Sequence, residues 1–133
     1  MLNIIDLNLD SIKTEEAFII NKTPIDGREI KLMLSRKCTP VYNAPNKYIG
    51  YCAAEMRFID ELDTDILDTS FLVKVVLSAE LTVTNSSVQF SNDDLTESAV
   101  MQMLPHIRAT FASIMASAGL APYLIPTLGI INQ

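Results

Sequence analysis

Met103-Leu104-Pro105-His106-Ile107-Arg108, then Gly119-Leu120-Ala121-Pro122, then Leu124-Ile125-Pro126: this punctuated run closes the 133-residue chain and decides its fold. Val100, Met103, Leu104, Ile107, Phe111, Ile114 and Met115 recur at spacings of three and four, which makes one apolar helical stripe. Asp94 or Thr96 can cap that helix, with Glu97 in its first turn. Pro105 removes a backbone donor and should kink or restart the helix. The helix runs to about Ala118, because Gly119 is a natural terminator. Beyond Gly119 the chain is a Pro-punctuated apolar tail. Tyr123, Leu124, Ile125, Leu128, Ile130 and Ile131 crowd it, so it has to pack on something.

Upstream of the helix the period changes to two. From Phe71 to Thr84 the odd positions Phe71, Val73, Val75, Leu77, Ala79, Leu81 and Val83 are apolar, against Lys74, Ser78, Glu80, Thr82 and Thr84. That is a long strand with one buried face. Tyr48 to Asp60 alternates less cleanly, and Ile30, Leu32 and Leu34 begin a strand that extends towards Thr39. Asn43-Ala44-Pro45-Asn46 is a turn between these two. A hairpin centred near Pro45 pairs residues whose numbers sum to about 90. Leu34 then faces Met56, Leu32 faces Phe58, and Cys38 faces Cys52. Ile5, Leu7 and Leu9 suggest a first strand, which Ala17 to Asn21 either continues or leaves as a connector. Asp26-Gly27 marks a turn, and Glu61 to Asp68 is an acidic link.

The expected class is therefore α+β. A four-stranded antiparallel sheet is followed by one long helix and an extended apolar crossover tail, in a single domain over residues 1–133. No window reaches the roughly 18 continuous apolar residues of a membrane span, and no basic-then-apolar leader opens the chain. Membrane insertion is not expected, and the cytoplasm is the expected compartment. A net charge of −6 with no Lys/Arg cluster disfavours nucleic acid. Two cysteines make no disulfide framework, and with a single histidine no metal-ligand spacing forms. No nucleophile–base pair, carboxylate pair or cofactor loop is present. The chain reads as a non-enzyme with no catalytic residue, metal or cofactor.

At the proline- and glycine-marked positions the chain resembles the SecB chaperone family. That family has four antiparallel strands, then a helix with a Leu-Phe-Pro-Tyr-Ala-Arg-like turn. A Gly-x-Phe-Pro stop comes next, and then an apolar Leu-x-Leu-x-Pro crossover. Met103 to Arg108, Gly119 to Pro122 and Leu124 to Pro126 occupy those places, so residue-level similarity covers about the last thirty positions. The family pattern continues into a second helix and a flexible acidic tail, whereas this sequence stops at Gln133, and its crossover is about a residue shorter.

The resemblance implies an ATP-independent holdase that binds unfolded or aggregation-prone polypeptide through an apolar groove. Tyr123, Leu124, Ile125 and Leu128 would line that groove, or else seal a sheet edge or a dimer interface. It implies assembly as a homodimer or homotetramer, with a translocation motor or a single dedicated client as further partner. The second reading is an interaction protein serving one client, such as a toxin–antitoxin-associated chaperone. In the family the polar sheet face is acidic and meets the motor. Here Glu55, Arg57, Lys74 and Glu80 mix the signs, so a solvated face is expected. Cys38 and Cys52 read as reduced core residues, most methionines as core filling, and His106 as a surface or boundary residue.

Overall fold

The computed structural model describes residues 6–23, 27–84 and 89–121. Strands β1 (Leu7–Asn21), β2 (Ile30–Pro40), β3 (Lys47–Phe58) and β4 (Phe71–Val83) precede helix α1 (Asn92–Ser117). The sheet is antiparallel throughout, in the order β1-β4-β3-β2, so β1 and β2 are its edges. The expected crossover tail lies outside the described residues.

β4 is the central apolar strand that its alternation predicts. Phe71, Val73, Val75, Leu77, Ala79, Leu81 and Val83 are all buried against α1 and the neighbouring strands. On β3 the row is Cys52, Ala54, Met56 and Phe58, and α1 adds Met103, Ile107, Phe111 and Met115. Helix and sheet approach closely at Gly50. A β-carbon there would lie 2.9 Å from Leu81 Cδ1 and 3.2 Å from Met103 Sδ. Glycine at this point lets α1 sit down on the sheet.

β1 is one strand, with Ala17 to Asn21 as its continuation. Two bulges, at Asp10 and Glu15, interrupt its pairing with β4. Each bulged carboxylate is tied back to β4. Asp10 accepts from the Thr82 hydroxyl, and Glu15 accepts from the Ser78 hydroxyl at 2.7 Å. The bulges move the residues that pack on the core from Leu7 and Leu9 to Ile12, then to Ile19.

The β2–β3 hairpin keeps the expected face but shifts by two residues. Leu32 pairs with Met56, Leu34 with Ala54, Arg36 with Cys52, and Cys38 with Gly50. Cys38 and Cys52 are thus offset, not directly opposed. The connection occupies residues 41–46, and its centre precedes Pro45. The Val41 N–H donates to the Lys47 carbonyl at 2.9 Å, and Asn43 and Asn46 take positive φ of 59° and 66°. Asparagine tolerates that conformation better than most residues.

α1 starts earlier than Asp94 or Thr96 would place it. Ser91 is the cap. Its hydroxyl accepts from the Asp94 N–H while the Asp94 carboxylate accepts from the Ser91 N–H, a reciprocal capping box. Thr96 instead donates to the Asn92 carbonyl at 2.8 Å. The helix is continuous through Pro105, which is exposed. The carbonyl that Pro105 leaves without a donor belongs to Met101, whose side chain is 63 % exposed, so this happens on the solvent face. Arg36, at a core-facing position of β2, forms an ion pair with Glu97 on α1. That pair fastens an edge strand to the helix, although Glu97 Oε2 is buried without a hydrogen-bond partner.

Crowding at Gly50 should dominate its mutational response. Gly50→Val should destabilise the fold by about 1–3 kcal/mol through overpacking. Gly50→Ala should cost less, because the first atoms it meets end flexible side chains. Urea denaturation midpoints of the two variants check this ranking.

Candidate polypeptide-binding face

Tyr123, Leu124, Ile125 and Leu128 lie outside the described residues. The structure does describe how the chain is delivered to them. Gly119 has φ +80°, its N–H donates to the Ala116 carbonyl, and the Leu120 N–H donates to the Met115 carbonyl, both at 3.0 Å. This is the Schellman ending that Gly119 signals in the sequence. It turns Leu120 back, so that Leu120 and Ile114 both pack against the core.

Beside α1 the inner face of the sheet stays partly open. Ile30, Leu32 and Leu34 on β2, and Leu9, Ile12 and Ile19 on β1, are half-buried and packed against the core. A single helix is narrower than four strands, so the edge strands keep apolar surface that the central pair does not. At the opposite end Tyr48 and Phe90 meet edge-to-face, with centroids 6.5 Å apart. An extended apolar segment laid beside α1 would find side-chain contacts along either flank.

The cysteines and the histidine sit apart from one another in function. Cys38 and Cys52 are buried free thiols. Burial pushes both up to about 11, with Arg36 pulling Cys52 slightly the other way, so neither is a thiolate near neutral pH. His106 is exposed on α1. No cluster of three or more metal-ligating side chains occurs among the described residues. Met56, Met103 and Met115 are core residues, whereas Met101 faces outward.

The outer face departs from the solvated expectation at one point. Arg57 is only 7 % exposed. The connector of residues 59–70 lies over it, and its guanidinium donates to the carbonyls of Glu61 (3.2 Å) and Thr64 (2.8 Å) and to Glu55 (2.6 Å). Lys74 pairs with Glu16 at 3.8 Å. Between these charges Tyr51, Ala53 and Val76 are half-buried apolar residues. The imperfect alternation of β3 was the sequence signal for this mixed face.

No protein-family model and no curated protein sequence matches the chain. Among solved structures, the chain is similar to a SecB-like chaperone of Mycobacterium tuberculosis, solved in complex with a ChAD peptide from the HigA1 antitoxin. The TM-score is 0.67 at 12 % identity, covering 92 % of this chain and 90 % of that one. The fold is SecB-like: a four-stranded antiparallel sheet carrying one long helix. No helix among the described residues is long and apolar enough to cross a membrane.

The cysteines report directly on this packing. At pH 8 a thiol reagent should label neither Cys38 nor Cys52 in the native protein, and should label both after denaturation. Fast native labelling would mean that the core around them opens.

Proposed function

We propose that this SecB-like chain is an ATP-independent holdase that binds non-native polypeptide beside α1. The carrying observation is the shared fold with a chaperone solved with a peptide bound. The half-buried apolar flanks on β1 and β2 support it, because they offer side-chain contacts without a catalytic apparatus. Tyr123, Leu124, Ile125 and Leu128 form the other wall of the groove in this reading. The Schellman turn at Gly119 sends the chain towards them. The protein works as one domain in the cytoplasm, without cofactor, and its client is polypeptide, not nucleic acid.

A second reading has one observation in its favour. The peptide in the similar structure comes from an antitoxin. In this reading the chain serves one partner, with or without a translocation motor behind it. Breadth of binding separates the two readings. A holdase suppresses aggregation of several unrelated unfolded proteins, and a dedicated chaperone protects one.

Replacing Leu124 and Ile125 together by Ser should weaken client binding by a few kcal/mol at most, since a fully buried aliphatic is worth roughly 1.5–3 kcal/mol. Folding should suffer less, because the helix–sheet core is built from other residues. Aggregation suppression and thermal stability measured in parallel decide the matter. Lost stability with intact client binding would make the tail structural only.

Self-association into a homodimer or homotetramer belongs to the same proposal. An apolar tail and two long edge strands favour burial between copies. Sedimentation at tens of micromolar (an order of magnitude set by common association constants) should show more than monomer.

A further inference from the structure

The outer face of the sheet is arranged in cross-strand rows. Ser35, Ala53 and Val76 stand side by side on β2, β3 and β4. One row along stand Lys37, Tyr51 and Ser78, and on the other side Met33, Glu55 and Lys74. Three short side chains, with Lys37 and Tyr51 on one side and Met33, Glu55 and Lys74 on the other, border a trough of about 250 Å³, mainly apolar, with Tyr51 as one wall. It is shallower and smaller than the roughly 300–1,000 Å³ typical of small-molecule sites, so it suits an anchoring side chain from a larger partner.

Its charge is unusual for this protein. The nearby acids are already answered: Glu55 on the adjoining row by Arg57, and Glu16, which faces Val76 from β1 at the end of the trough's own row, by Lys74. Lys31 and Lys37, on the β2 side, are exposed and form no ion pair among the described residues. The Lys37 ammonium lies 5.1 Å over the Tyr51 ring. The two lysines are six positions apart along the strand, about 20 Å at the usual rise. A chain of net charge −6 therefore offers two unpaired lysines on the β2 side of this face, Lys37 at the trough and Lys31 beyond its far end.

We propose that the trough is a second docking surface, for a segment of another protein that carries an apolar side chain between carboxylates. The apolar residue seats over Ala53 and Val76, and the carboxylates meet Lys31 and Lys37. Two-fold self-pairing of this face is opposed, because it brings like-charged lysines together. The surface is on the opposite side of the sheet from α1, so it works independently of the client groove.

The probe is a synthetic peptide with one leucine flanked on each side by two aspartates, compared with its lysine counterpart by fluorescence anisotropy. The aspartate peptide should bind, more weakly as salt rises, and the lysine peptide should not. Lys31→Glu with Lys37→Glu should lower the affinity at least tenfold. Ala53→Leu, which fills the trough without changing charge, should do the same. Both variants should keep the thermal stability and aggregation suppression of the unmodified protein, which separates this surface from the holdase reading. No binding of the aspartate peptide, equal binding of both peptides, or binding indifferent to both variants would overturn the proposal. So would a fall in oligomer mass in the charge-reversed variant. That would assign the trough to a second copy, whose own connector offers Leu67, 83 % exposed, beside Asp65 and Asp68.

Discussion

β4 lies between β1 and β3 and buries an unbroken row of side chains, Phe71 to Val83, beneath one helix. Every other contact is subordinate to that packing. β1 and β3 are in the sheet because their backbones pair with β4. α1 can approach because Gly50 presents no side chain beside Leu81. β2 is one strand removed, and it recovers attachment through the Arg36–Glu97 ion pair. Burial of this kind contributes roughly 25 cal/mol per Å² of apolar surface, so a row of seven core residues outweighs the scattered ion pairs, most of which are exposed.

How well each element reads from sequence depends on how local its determinants are. β4 is legible because its alternation is strict, and the helix end because Gly119 needs the left-handed conformation that the Schellman turn demands. β1 is not, since Asp10 and Glu15 each insert a residue and reset the phase. The anchors that hold those bulges, Thr82 and Ser78, are far away in the chain. The hairpin register slips by two because its centre is set by two left-handed asparagines, whereas Pro45 is the more conspicuous residue. The helix start hides in Ser91-x-x-Asp94, a capping box with aspartate where glutamate is the usual partner. Of the site, the flanking strands and the helix exit are legible. The outer trough is not, because it exists only once Ser35, Ala53 and Val76 are brought into one row.

The two faces of the sheet divide the chemistry. The inner face is apolar and half-covered, which suits sequence-tolerant contact with extended polypeptide. The outer face pairs most of its charges locally and leaves a lysine-bordered trough, which suits recognition of a defined segment. A fold of this size can hold both because a sheet strand presents alternate residues to opposite sides. Substitutions on one face then leave the other nearly unchanged.

The chain order of the sheet has a consequence for biosynthesis. Leu7 pairs with Val83, and Asn21 with Phe71, so β1 has no partner until β4 has been made. The β2–β3 hairpin is local and can close early, while the β1–β4 seam carries the large loop-closure cost. At about 5–20 residues per second, several seconds pass on the ribosome with β1 waiting. Its charged residues, Asp10, Lys13, Glu15 and Glu16, make that waiting segment a poor template for a stray partner. The charges that interrupt the apolar alternation of β1 in the sequence thus guard the nascent chain until its own last strand arrives.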